Sequence, residues 1–426
     1  MTRTPPFVLS LSKHVPGTRP RRLAGAVGRS GQASTSSGRT VWGWAVALLL
    51  AATPAAAQIK AGDAVTPPST EGYQPQGTDE RGLWLELDEY ERDFRTSAFV
   101  VRDPALNAYV KGVLCRTVGE RCRAARLYLV RTADFNATMA PNGMMQVWTG
   151  LLLRVRNEAQ LAAVLGHEFT HFEARHSLRN FRDLRAKTDA MAWLSFVPFG
   201  VGMAAQVGLA GGFFANSRAQ EAEADLGGLR YLATAGYAPG EAAKIWEGLR
   251  AEQDATAAAR RRKSKKDKNG GFFATHPNSA ERVAYLTKAA GELPGPSNSG
   301  DAAYRTALAP WWPALVDDQI KLNDFGGTEY LLATLAASGG WTPELLYARG
   351  ELYRARGLGS DLAAAIGFYR EALAAGSALP ELRRGLGLAL LRSGAAGEGR
   401  ALLRDYARLK PDAGDRAMML ALAEER

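Results

Sequence analysis

The run His167-Glu168-Phe169-Thr170-His171 constrains this chain more than any other feature. Helical geometry sets the two histidines about 40° apart and one turn along, so both imidazoles can reach one ion. Glu168 stands beside them, placed to polarise a water on that ion and not to ligate. Asn157 with Gln160 three residues on resembles a capping box. Leu161, Val164 and Leu165 give the helix an apolar face, and the pattern predicts a helix to about Arg179. A catalytic metal needs a third protein ligand. His176 lies about 180° round the same helix from His167, so it cannot join the pair unless the helix breaks; a structural role, or one behind the ligands, is expected. Glu221-Ala222-Glu223-Ala224-Asp225 offers a better answer. Glu221 and Asp225 share one helix face, while Glu223 points away at about 200°. One carboxylate can ligate, and the other can accept the free N–H of a ligating imidazole and fix its tautomer. The alternative is an acidic, solvated helix face.

That pairing also governs how residues 190–215 are read. They carry no charge and are long enough to span a bilayer. A single crossing, however, would leave His171 and Glu221 on opposite sides. Pro198, Gln206 and several glycines make a poor lipid helix as well. The expectation is a bent apolar hairpin that covers a cleft or makes a peripheral membrane contact, with plain core packing as the alternative.

The net charge of +10 suggests nucleic acid until it is located. Residues 1–57 hold +7 with no acid, and 260–268 hold +6, which leaves −3 for the rest. No nucleic-acid partner is expected, and 260–271 reads as a solvated loop. Residues 41–52 (VWGWAVALLLAA) follow basic residues and precede Ala55-Ala56-Ala57, the pattern of a secretory signal cut before Gln58. The run falls short of the roughly 20 residues of a spanning helix, so the body is expected in the periplasm. In such a compartment Cys115 and Cys122 close a small loop and are expected to pair as a local disulfide staple.

Four segments result: 1–57 as signal with a long N-terminal extension, 58–81 as linker, 82–295 around the histidine helix, and 302–426 as a helical region. Asp103-Pro104 starts a helix, 126–131 and Met144–Trp148 read as strands, and Asn142-Gly143 marks a turn between them. An extended peptide is expected to add to the sheet edge near Met144–Trp148. Further on, Pro343, Gly350, Gly357, Ile366 and Tyr369 recur 37 residues later as Pro380, Gly387, Gly394, Leu403 and Tyr406. Each unit reads as two short helices, tetratricopeptide-like, with 302–340 as a further helical pair beneath. The fold class is α+β: a mainly helical domain with a small β-sheet, followed by an all-α region.

Over about 106–286 these residues resemble a family, the zinc metallopeptidases typified by the CAAX prenyl protease and the periplasmic β-barrel assembly-enhancing protease. The resemblance rests on Asn136-Ala137, Pro141-Asn142-Gly143, Thr149-Gly150-Leu151-Leu152, the histidine helix, Ser217-Arg218, Glu221 to Asp225, Ala235-Gly236-Tyr237, Thr275-His276-Pro277 and Arg282. It implies a zincin-type domain with one Zn2+ per chain on His167, His171 and Glu221, Glu168 as catalytic base and Asp225 behind the ligands. His276 is then a fourth ligand that switches the enzyme off, an oxyanion donor, or an ordinary helix-start turn. Asn136, Arg218 and Arg282 are candidates for substrate contact or for structural roles. The repeats behind an export signal look like the assembly-enhancing subgroup. That implies endopeptidase action on unfolded or stalled envelope proteins and a partner in the outer-membrane assembly machinery. The rival expectation is a chaperone or assembly factor acting through the repeats with a largely silenced zinc site.

Overall fold

The computed structural model describes residues 67–194, 201–264, 280–293, 298–337 and 339–424. The expected export signal, residues 265–279 with His276, and residues 195–200 of the expected apolar hairpin lie outside the described residues. Helices α1 (Gly77–Phe94) and α2 (Pro104–Val118) precede strands β1 (Arg126–Val130), β2 (Ala137–Met139) and β3 (Met144–Trp148). There follow α3 (Thr149–Arg154), α4 (Glu158–Glu173), α5 (His176–Leu194), α6 (Val201–Thr234), α7 (Glu241–Ala259) and α8 (Ala280–Gly291). The remainder is all helical: α9 (Asp301–Leu308), α10 (Trp312–Ile320), α11 (Phe325–Ala336), α12 (Pro343–Arg356), α13 (Asp361–Ala374), α14 (Pro380–Arg392), α15 (Ala396–Leu409) and α16 (Arg416–Glu424). This is the expected α+β class. Among the described residues no helix is long and apolar enough to cross a membrane.

Local chemistry explains the helix starts. The Asp103 side chain accepts the Leu106 N–H at 2.7 Å, with Pro104 supplying a first helical position that needs no donor. Asn157 accepts the Gln160 N–H at 2.8 Å, and Gln160 reaches back to accept the Arg156 N–H at 3.0 Å. A disulfide joins Cys115 of α2 to Cys122 in the short turn after it. The chain corrects the expected linker, because Gly77 to Arg81 already belong to α1, and Pro68 and Ser69 ahead of it are buried.

The sheet corrects a second expectation. β3 is the central strand, parallel to β1 and antiparallel to β2, so Met144–Trp148 offers no edge. The far side of β1 is covered by Phe99 to Val101, whose Val101 N–H donates to Leu129 O at 2.9 Å. Among the described residues the open edge is β2. Its three residues are too few to show a strand's alternation in sequence.

The histidine helix also ends earlier than its pattern predicts. α4 stops at Glu173, and Arg175 takes a left-handed conformation with φ 54° before α5 begins at His176. For a non-glycine residue that costs about 1–2 kcal/mol. The Arg175 guanidinium offsets the cost: it donates to the Tyr73 hydroxyl, lies 3.7 Å from the Glu80 carboxylate and covers the Tyr73 ring.

α4 is buried along nearly its whole length and packs most extensively on α6. Where they cross, Gly166 faces Gly228, and a Cβ on Gly228 would come within 2.8 Å of the His167 backbone nitrogen. Only glycine allows this approach. The 37-residue sequence period is also a structural one, since α12–α13 and α14–α15 are successive helical hairpins. Pro343 and Pro380 open their first helices, and Tyr369 and Tyr406 are buried on their second. Beneath them lie three helices, α9 to α11, where a pair was expected; Val316 and Leu332 pack with Leu345, Ala348 and Leu352. Trp312 lies against this cluster and also against the larger core around α4, and its Nε1 donates to Glu344 O at 2.9 Å.

Candidate metal centre

The α4–α6 crossing brings together the residues that the sequence separates. His167 Nε2 and His171 Nε2 face each other at 3.0 Å, and the Glu221 carboxylate lies 3.2 Å from the second and 3.7 Å from the first. One donor atom from each residue can be chosen so that all lie within 4.8 Å of one another. Donors around a tetrahedral zinc stand about 3.3 Å apart, given zinc–nitrogen bonds near 2.0–2.1 Å. Two imidazole nitrogens and a carboxylate, converging at that spacing in a buried place, fit a zinc-type cation.

The other ring nitrogens show why both Nε2 atoms point inward. His167 Nδ1 is 2.9 Å from Asp225 Oδ1, which lies one turn beyond Glu221 on α6. Arg282 of α8 holds that carboxylate with two bonds, Nε at 2.7 Å and Nη2 at 2.5 Å, and the Tyr285 hydroxyl donates to it as well. Arg282 also stands 3.3 Å from Glu221 and stacks on Trp246, with its guanidinium carbon 3.6 Å from the ring centroid. This answers the question left by the sequence: Arg282 pairs with acids, and at 2% exposure it is deep in the fold. Tyr285 and Trp246 were not anticipated. Neither lies in a chemical motif, and both sit on helices that reach the site only through tertiary packing.

His171 Nδ1 meets His176 Nδ1 at 2.7 Å, and His176 Nε2 meets Glu223 Oε2 at 3.1 Å. The break at Arg175 makes this possible by turning His176 back toward α4. The helix does break, and His176 stands behind His171, one of the two places the sequence left open for it. Glu223 does face away from Glu221, as its helical position requires.

Burial governs the titration of these groups. It pushes His167 down to about 3, against the opposing pull of Asp225. It lifts Glu168 to about 8, with the negative charge of Glu221 adding to it, while His171, Arg282 and a backbone bond from Met139 of β2 pull the other way. Burial would raise Asp225 too, but the Arg282 charge and His167 outweigh it and hold the carboxyl at about 2. A cation among the donors adds positive charge next to Glu168 and favours its carboxylate.

Of the remaining candidates, Asn136 lies just before β2, and its backbone carbonyl accepts the Trp148 N–H at 3.0 Å. Among the described residues its buried side-chain oxygen has no hydrogen-bond partner. Arg218 is exposed on α6, less than one turn before Glu221. His276 falls outside the described residues.

Residues 120–290 match the model of peptidase family M48. This segment is similar to the family M48 metallopeptidases. It contains the three strands, the histidine helix, the α6 carboxylates and Arg282. The chain is 30% identical over 220 residues to the mitochondrial metalloendopeptidase OMA1 of Schizosaccharomyces pombe, covering 49% of this chain and 58% of that protein. It is 33% identical over 157 residues to the protein of the same name from Arabidopsis thaliana, over 36% of this chain and 29% of that one. Over 167 residues it is 29% identical to the β-barrel assembly-enhancing protease of Escherichia coli, covering 36% of this chain and 34% of that protein. The chain spans less than two thirds of the length of each of these relatives.

Proposed function

We propose that this protein is an exported zinc endopeptidase, with one Zn2+ held by His167, His171 and Glu221. The observation that carries this is the inward convergence of both Nε2 atoms, 3.0 Å apart, on the Glu221 carboxylate at 3.2 and 3.7 Å, with Glu168 buried beside them. When bound, a zinc ion polarises the scissile carbonyl and acidifies water. Glu168 takes the proton from the attacking water and returns it to the leaving amine. Asp225 accepts the N–H of His167, and Arg282 keeps Asp225 ionised while neutralising part of the acid cluster.

Substrate binds as an extended strand along β2, where backbone hydrogen bonds position it without strict demands on its side chains. Asn136, at the start of that edge, is placed to meet it. Such a mode suits unfolded or stalled envelope proteins. The tetratricopeptide-like hairpins α12 to α15 then serve as the contact for outer-membrane assembly machinery, a reading supported by the name of the Escherichia coli relative. The pattern of residues 41–57 supports periplasmic delivery, and the Cys115–Cys122 disulfide supports an oxidising compartment. The same reading gives the apolar stretch 190–215 the role of a peripheral membrane contact and His276 that of a switch or an oxyanion donor.

The test is metal analysis of the purified protein together with casein cleavage, with and without chelator and in Glu168→Gln. One zinc per chain, with cleavage lost both to chelator and to the substitution, is the expected result. Zinc without cleavage points instead to the chaperone reading through the repeats.

A further inference from the structure

His167 and His171 are held from behind by different devices. Behind His167 is a buried carboxylate, Asp225. Behind His171 is a second imidazole, His176, only 2% exposed, which in turn meets the half-exposed Glu223. We propose that His176, oriented by Glu223, is the positioning residue for His171: it accepts the His171 Nδ1–H and so presents Nε2 of that ring to the metal. This rests on the zinc centre proposed above.

The hydrogen positions are consistent in one direction only. A neutral imidazole that ligates through Nε2 carries its hydrogen on Nδ1. At 2.7 Å that hydrogen points at His176 Nδ1, which must therefore be the lone-pair nitrogen. His176 then carries its own hydrogen on Nε2, facing Glu223 Oε2 at 3.1 Å, and an ionised carboxylate is purely an acceptor. The chain of donors thus runs from the ligand outward to a carboxylate, as it does for His167 in a single step. Arg179 lies 3.5 Å from the same Glu223 oxygen and helps hold that carboxylate in place. The geometry is built into the fold: the left-handed Arg175, clasped by Tyr73 and Glu80, is what turns His176 back onto His171. Partners of this kind typically change metal affinity about 10–100-fold.

The experiment measures zinc affinity of the full-length protein by competition with a chromophoric chelator, and the visible spectrum of the Co2+-substituted protein. His176→Leu is expected to weaken zinc binding about 10–100-fold and to change the Co2+ bands. His176→Gln, whose amide oxygen can accept the same hydrogen, is expected to recover most of that loss. Unchanged melting of the metal-free variants shows that the effect is not unfolding. Should His176→Leu fail to fold, Glu223→Ala at its exposed position carries the test, with an expected loss of at least about threefold in affinity. Wild-type protein that binds no zinc overturns the metal centre itself. Wild type that binds zinc, with His176→Leu or Glu223→Ala within twofold of it and the Co2+ spectrum unmoved, overturns the role of His176 alone.

Discussion

The α4–α6 crossing and the α14–α15 crossing use the same packing device for different ends. In each, glycines face one another: Gly166 with Gly228, and Gly387 with Gly399, where a Cβ on Gly387 or Gly399 would come within 3.0 Å of the other's carbonyl oxygen. In the repeats, the close approach buries Leu403 and Tyr406 beside an apolar neighbour helix. Polar groups there pair with one another, as where Tyr406 of α15 donates to Asp415 at 2.7 Å and Arg384 of α14 donates to the same carboxylate at 3.0 Å. In the metallopeptidase domain the same approach gathers two imidazoles, two acids on α6, Glu168 and Arg282 in a buried space. Two Nε2 atoms 3.0 Å apart beside the Glu221 carboxylate form a donor set that could hold a cation. Buried polar clusters stabilise only when every member is satisfied. One crossing is therefore closed by its own side chains, while the other gathers a donor set that could hold a metal ion.

The largest expected effect tests chemistry apart from packing. Glu168→Gln should lower peptide cleavage by about 10²–10⁴-fold, while amide exchange in both crossings stays as in wild type. Next comes the ion. Zinc at a thousand times its Kd should stabilise the α4–α6 region by about 4 kcal/mol, read as slowed amide exchange there. An equal gain in α14–α15 would break the contrast. Third, Gly228→Val and Gly387→Val should each cost about 1–3 kcal/mol through overpacking. Only the first should reduce zinc content by metal analysis. The smallest effect concerns acid. Asp361 in the repeats accepts two bonds from Arg356, which hold its carboxyl below the usual 3.8. A depressed folded value contributes stability above about pH 3.8 that is lost as pH falls below it. Asp361→Asn should therefore flatten the loss of melting temperature on that limb, measured by circular dichroism.

Much of the site was legible because its parts are local. The i, i+4 histidines, the Glu221–Asp225 pair and the Asn157 cap are each set by helical periodicity, and the hairpins are set by a 37-residue period. The break at Arg175 was not legible, because its stabilising partners Tyr73 and Glu80 lie about a hundred positions upstream. The inward turn of His176 was hidden with it. Nor could spacing reveal that Arg282 would grip Asp225 while lying over Trp246, since three separate helices must dock first. β2 escaped notice because a three-residue strand is defined by its neighbour and not by its own pattern.

At the contact between Gly166 and Gly228, main chain rests directly on main chain. No side chain stands in that gap to swing aside, so the span between the imidazoles of one helix and the acid of the other is inherited from peptide geometry. A joint of this kind does not loosen by rotamer hops. It stays shut, or it comes apart whole.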